Sequence, residues 1–216
     1  MADRAAGVPF AKEGFPFIGL AAGITVLTVW LGWTPVAVAA AALTLFIAWF
    51  FRNPPRVVPQ GGRLVVSPGD GKVLAVEEEF EPRYLKDRAI RISIFLNVFD
   101  VHINRIPCDG TIENVQYQPG LFLVASKPHA TLKNEQNAVM IKTVEGAKVL
   151  CVQVAGLIAR RIVCWVNPSD RAVRGERYGL IRFGSRMDTY LPAGTAIRVA
   201  VGERVKGGET ILGELR

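Results

Sequence analysis

Gly184 and Ser185 stand where a backbone can do chemistry on itself. They lie within Gly175-Glu-Arg-Tyr-Gly-Leu-Ile-Arg-Phe-Gly-Ser-Arg-Met-Asp-Thr-Tyr-Leu-Pro192, and Ser185 opens the last 32 residues of a chain of 216. The residues before the pair read as a strand. Those after it alternate, with Met187, Thr189 and Leu191 on one face and Asp188 and Tyr190 on the other. A glycine lets the chain bend there, and the hydroxyl beside it is within reach of the preceding carbonyl. The same pair also suits a β-bulge or a tight turn, where Gly-Ser is common. The two residues alone do not decide between these readings.

Other residues able to do chemistry are few. The chain has two histidines, His102 and His129. His102 sits in Asp100-Val-His-Ile-Asn-Arg105 at a strand end, where an imidazole serves equally as a structural group or a base. Asp100 reads best as a turn cap. His129, in Ser126-Lys-Pro-His-Ala130, falls in a loop and reads as incidental. Cys108, Cys151 and Cys164 are odd in number and far apart, with no Cys-x-x-Cys among them. Neither a disulfide framework nor a metal site is expected, and the thiols read as packing residues of a reducing compartment. Arg160 and Arg161 lie in an apolar run, where an unpaired charge is costly. One of them faces a phosphate or carboxylate, or else pairs with a surface glutamate.

These groups must be positioned by two unlike parts. Phe15–Trp33 and Pro35–Phe51 are apolar and carry no charge. Each is near the lower end of the ~17–25 residues that cross a bilayer as a helix. A signal peptide fits poorly, because the apolar stretch is too long and no clean small-residue cleavage site follows. Gly32-Trp33-Thr34-Pro35 is a natural turn between two helices. Arg4 and Lys12 precede the blocks and Arg52 and Arg56 follow them, which by the positive-inside rule puts both ends in the cytoplasm. Trp30, Trp33 and Trp49 lie near block ends, as interfacial aromatics do. Residues 1–56 therefore read as an α-helical membrane hairpin and linker, with a shallow re-entrant insertion or a buried core hairpin as rivals. Asn53-Pro-Pro55 ends the helical pattern.

From residue 57 to 216 the pattern is β. Leu64–Val66, Lys72–Val76, Ala89–Leu96, Ala138–Lys142 and Lys148–Val154 are branched or alternating runs separated by Gly, Pro, Asp and Asn. Ala155–Val163 leans to strand. Pro68-Gly-Asp-Gly71 and Pro107-Cys-Asp-Gly110 each read as an Asp-Gly turn feeding a strand. The stretch Val201–Glu214 resembles the closing strands of lipoyl and biotinyl domains, without the carrier lysine. The fold expected is mainly β, a compact barrel-sandwich behind a helical hairpin. The net charge is +7. Behind a membrane anchor that favours anionic lipid over nucleic acid, for which no RNP-like, zinc-finger or long basic-helix pattern occurs.

Four stretches together resemble the short bacterial form of phosphatidylserine decarboxylase. They are Ser67–Gly71, Phe99–Arg105, Gly156–Ile162 and Gly179–Asp188, in that order, and the resemblance extends over nearly the whole chain. It implies a self-cleaving proenzyme. Ser185 attacks the carbonyl of Gly184, and elimination leaves a β chain, 1–184, and an α chain, 185–216, that begins with a pyruvoyl group. That covalent group replaces pyridoxal phosphate as the electron sink, through a Schiff base to the substrate amine. No metal is implied. The resemblance further implies a triad of Ser185, His102 and Asp70, the last from its Pro-x-Asp-Gly turn. Larger members carry Asp-x-His-x-x-His, and Arg105 replaces the second histidine, which is their usual base. His102 is then the base that remains. Asn134 and Glu135 match an Asn-Glu-Arg-Asn stretch of the family and either line the site or form a solvated turn. The implied reaction turns phosphatidylserine into phosphatidylethanolamine at the cytoplasmic face of the cell membrane, with the cleaved chains as each other's partners and room for a homodimer. Two alternatives differ: a membrane-tethered lipoyl-like binding module without catalysis, and the same chemistry on a related serine lipid, because apolar tail contacts discriminate poorly.

Overall fold

The computed structural model describes residues 9–123, 133–157, 161–182 and 184–216. The chain divides into a helical unit, Gly7–Pro55, and a β unit running from Arg56 to Arg216.

In the helical unit, α1 (Phe15–Trp30) and α2 (Thr34–Phe50) are joined by the turn at Gly32. Pro16 and Pro35 lie in their first turns, where a missing N–H costs nothing. Both helices are apolar all round. α1 and the turn before it, Lys12–Trp30, are long and apolar enough to cross a membrane; α2 is shorter. Their few hydroxyls are satisfied internally. Thr25, Thr28 and Thr44 donate to the carbonyls of Ala21, Ile24 and Ala40, and Thr25 and Thr44 meet across the helices at 3.1 Å. Backbone bonds from Ala11 N–H to Phe51 O and from Asn53 N–H to Pro9 O close the open end.

Among the described residues the β unit has fourteen strands: β1 (Leu64–Val66), β2 (Gly71–Glu81), β3 (Asp87–Leu96), β4 (Ile103–Arg105), β5 (Gly110–Gln118), β6 (Gln136–Lys142), β7 (Lys148–Val154), β8 (Ile162–Cys164), β9 (Arg171–Ala172), β10 (Arg177–Ile181), β11 (Ser185–Pro192), β12 (Ala196–Ile197), β13 (Arg204–Val205) and β14 (Ile211–Glu214). Eight of them form one antiparallel sheet in the order β13-β2-β3-β11-β7-β6-β5-β9, curled into a half-barrel. Two three-stranded sheets, β1-β14-β12 and β4-β10-β8, complete the unit. The protein is thus mainly β behind an apolar N-terminal helix, as the patterning predicts. β2 and β5 start at Gly71 and Gly110, the ends of the two Asp-Gly turns. Of the stretch 155–163, the described residues 155–157 and 161 lie outside strands and Ile162 and Val163 lie in β8; residues 158–160 are outside the described residues.

The central strand β11 is buried on both faces, so even its more polar side, with Arg186 and Asp188, is covered. Met187 and Leu191 face an inner cluster with Ile92, Ile94, Leu96, Val139, Ile141 and Cys151. Tyr190 faces an outer cluster with Leu150, Val152, Ala138 and Met140, over which Tyr84 and Leu85 pack. The strand register assigns these faces. Met187 pairs with Ile94 on one side and Gln153 on the other, and Ser185, two residues earlier, falls on the same inner face beside Leu96.

Candidate active site

Ser185 is the first residue of β11 and is wholly buried. Its hydroxyl has no hydrogen-bond partner among the described residues. An unmade bond of this kind costs about 1–3 kcal/mol, so packing gives no reason to keep a serine here. Gly184 precedes it at φ +66°, in the left-handed region. A Cβ on Gly184 would meet only Val98 Cγ1, at 3.9 Å. Backbone conformation rather than space therefore calls for glycine.

His102 comes from the segment entering β4 and is buried. Gly184 N–H donates to its Nε2 at 3.1 Å. Because an amide is only a donor, Nε2 accepts, and the ring proton lies on Nδ1. Nδ1 then donates to the Asp100 carbonyl at 3.0 Å. The imidazole is thereby held neutral, with its basic nitrogen against the residue whose carbonyl Ser185 would attack. Asp100 is held in turn. Its carboxylate accepts the Asn97 N–H at 2.9 Å, the turn cap expected, and pairs with Arg204. Arg204 belongs to the last 32 residues, so this ion pair links the two sides of the Gly184–Ser185 bond.

A buried serine hydroxyl with no partner among the described residues, a left-handed glycine before it and an oriented imidazole beside it are the parts that acyl transfer within a chain requires. The family model described as phosphatidylserine decarboxylase matches residues 43–213. Three similar proteins, each named phosphatidylserine decarboxylase proenzyme, come from Syntrophus aciditrophicus, Nitrosomonas europaea and Geotalea uraniireducens. The first is 48% identical over 205 residues, 94% of this chain and 96% of the relative. The second is 48% identical over 204 residues, 94% of each. The third is 47% identical over 212 residues, 98% of this chain and 99% of the relative. The chain belongs to the phosphatidylserine decarboxylase family.

The other residues expected of a phosphatidylserine decarboxylase are distributed unevenly. Asp70 accepts from Arg56 Nη2 at 2.8 Å and from Gly207 N–H at 2.8 Å. Arg105 is buried and donates to the Gly175 carbonyl at 2.9 Å. Burial, together with the nearby positive charges of Arg56 and Arg177, lowers its pKa to about 10. Where larger relatives put a second histidine, this decarboxylase has an arginine network with Asp70 as an acid within it.

Asn134 is a clamp. Its Nδ2 donates to the carbonyls of Leu123 and Ala155, and its Oδ1 accepts the Leu123 N–H. Glu135 ties its backbone to Leu121 and Ala155. Arg161 is exposed and accepts the Arg182 N–H through its carbonyl. Arg160 and His129 lie outside the described residues. Among the described residues no cluster of His, Cys, Asp and Glu is placed to hold a metal. Burial pushes the Cys151 thiol up to about 12 and raises Cys108 further, so neither is a nucleophile near neutral pH.

Sequence reading missed the inner-face amides Asn104, Asn137 and Gln153 and the buried Arg186–Asp188 pair, whose side chains lie 2.9 Å apart. Alternation along β11 places Asp188 opposite Met187, but only the register with neighbouring strands shows that both faces are covered.

Proposed function

We propose that this chain is a membrane-anchored proenzyme that cleaves itself between Gly184 and Ser185 and then decarboxylates phosphatidylserine to phosphatidylethanolamine. The observation that carries the reading is the unpartnered, buried Ser185 hydroxyl beside a Gly184 whose N–H is held by His102.

His102 Nε2 takes the proton of Ser185 Oγ. The oxygen bonds to the Gly184 carbonyl carbon, the C–N bond breaks, and the freed amine takes up a proton, leaving an ester. Loss of the Ser185 Cα proton then breaks the Cβ–O bond. Gly184 departs as the carboxylate end of a chain 1–184. One water hydrolyses the remaining enamine, ammonia leaves, and residue 185 becomes a pyruvoyl group. Ser185 fits this origin: its hydroxyl makes no structural bond that conversion would break. The pyruvoyl ketone supplies the electron sink for the pair left on the substrate carbon when carbon dioxide departs. His102 is the group to return a proton to that carbon. Asp70 acts on this site through Arg56 and the segment at Gly207.

Residues 1–56 form the anchor and 57–216 the catalytic domain. The charge-free helices and the flanking Lys12, Arg52 and Arg56 support insertion with both ends on the cytoplasmic side.

The test is intact-mass measurement of purified protein with a lipid assay. The expected result is two chains, 1–184 and 185–216, the smaller without a free N-terminal amine. Phosphatidylethanolamine should form without added pyridoxal phosphate. An unbroken chain that still turns over lipid would overturn the mechanism. An unbroken, inactive chain would favour the tethered binding module.

A further inference from the structure

Three buried amides stand in series one step from Ser185. Asn137 Nδ2 donates to Gln153 Oε1 at 2.9 Å, and Gln153 Nε2 donates to Asn104 Oδ1 at 2.8 Å. Gln153 Nε2 also lies 3.4 Å from the Val163 carbonyl, which can only accept, so the nitrogen end of Gln153 is fixed and with it the nitrogen end of Asn104. It finishes in a donor. Asn104 is wholly buried, and its Nδ2 has no partner among the described residues. Buried donors are almost always paired. A relay that spends two side chains to present an unpaired N–H indicates a missing acceptor.

We propose that Asn104 Nδ2 binds the carboxylate of the serine headgroup, the group that leaves as carbon dioxide. The proposal rests on the reading of residue 185 as the carbon that bonds the substrate amine.

Strand geometry supports the placement. His102 and Asn104 are two residues apart and share a face. Their contacts agree: His102 reaches Gly184, while Asn104 reaches Gln153, the strand partner of Met187. Ser185 and Met187 are also two apart on one face of β11. The amide therefore stands one rung from residue 185, about 7 Å along the strand. A carboxylate oxygen of an amino acid joined through nitrogen to residue 185 lies about 4 Å from that carbon by ordinary bond lengths. A hydrogen bond adds about 2.9 Å. Together they span the rung.

Gly69 stands beside this donor. A Cβ there would lie 3.3 Å from Leu96 Cδ2, 3.4 Å from Met187 Cγ and 3.6 Å from Asn104 Nδ2. Leu96 is the strand partner of Ser185, so an alanine would crowd the path between the two groups.

The chemistry favours a neutral donor. Decarboxylation discharges the carboxylate in the transition state. An arginine would stabilise the charge being lost and so oppose the step, because only interactions that persist or strengthen in the transition state accelerate it. A single amide N–H orients the carboxyl group with less of that cost. The product has no carboxylate and gains nothing from Asn104, which favours its release.

The test uses full-length protein in detergent with phosphatidylserine as substrate and phosphatidylethanolamine as inhibitor. Asn104→Asp keeps an oxygen for Gln153 and converts the free donor into an acceptor; Asn104→Ala removes both. Wild-type cleavage and turnover are measured first, and their failure would reject the underlying reading independently of Asn104. Both variants should mature. Their apparent affinity for phosphatidylserine should fall about ten- to a hundredfold, as expected for a hydrogen bond to a charged group. Inhibition by phosphatidylethanolamine should change less than twofold. Gly69→Ala should shift the two lipids apart in the same direction, by less. Equal losses for both lipids, or normal phosphatidylserine kinetics in a matured Asn104→Asp, would overturn the assignment. So would failure of both Asn104 variants to cleave, which would place Asn104 in maturation.

Discussion

The helical unit and the β unit invert each other. The hairpin turns its large apolar side chains outward, with Val26 70% and Leu45 72% exposed, while its threonine hydroxyls bond inside. The β unit takes polar groups inward: Ser67, Ser93, His102, Asn104, Gln153, Ser185 and Asp188 are all buried. A surface of the first kind is stable only where lipid replaces water. An interior of the second kind is stable only where nearly every polar atom has a partner. The exceptions then identify themselves, and the Ser185 hydroxyl is one. The difference teaches that composition locates the apolar hairpin, while bond accounting locates the candidate chemistry.

The sharpest way to break this contrast is to remove the base. His102→Ala should slow self-cleavage by about 10²–10⁴-fold, read as uncleaved chain on a denaturing gel over time. Normal cleavage would leave His102 only its later role of returning a proton to the substrate carbon. Asp70→Asn should act differently, because the carboxylate is bound to Arg56 and the Gly207 N–H. Weakening this largely buried pair is expected to cost up to about 3 kcal/mol, lowering Tm by as much as ~6–12 °C. Cleavage should be slowed less than by His102→Ala. An equal cleavage defect, with no added loss in the double variant, would instead support one Ser185–His102–Asp70 unit.

The hairpin half of the contrast is tested by charge. Leu45→Arg places a cation near the middle of α2, costing about 2.5–3.5 kcal/mol if that position lies at the bilayer centre. Flotation with vesicles should fall severalfold while cleavage in detergent is unchanged. Undiminished flotation would argue for a hairpin buried in protein. The smallest effect is expected from Thr25→Val. It removes the hydroxyl contact with Thr44, worth about 0.6 kcal/mol between membrane helices, and should move the thermal midpoint by only a few degrees.

Much of this was legible in the chain itself. Charge-free apolar blocks and the turn at Gly32 announced two helices, since local composition decides whether a segment prefers lipid. Alternation announced β11 and the strands on each side of it, and the Asp-Gly turns marked where β2 and β5 begin. The Gly184-Ser185 pair was visible, although two residues cannot distinguish a cleavage site from a bulge. In the stretch 155–163 the described residues 155–157 are not strand although Ile162 and Val163 are, because branched residues favour strand only where strand register supplies a continuous partner.

Residue order by itself determined which groups were available: one serine after a glycine between strands, His102 as the base nearest by motif, Arg105 two residues beyond Ile103, and a basic β unit following an apolar hairpin. Only the tertiary structure decided what those groups do to one another. Pairing of β11 with β3 and β7 put Ser185 on the inner face and Arg186 on the opposite, also buried, face. The Asp100 carbonyl, rather than a carboxylate, fixed the His102 tautomer, and Asp70 went to Arg56. The physical reason is range. Hydrophobic periodicity and turn chemistry act over a few neighbouring residues and can be read along the chain. A hydrogen bond between residues 102 and 184, or 104 and 153, exists only after strand register has brought distant segments within about 3 Å.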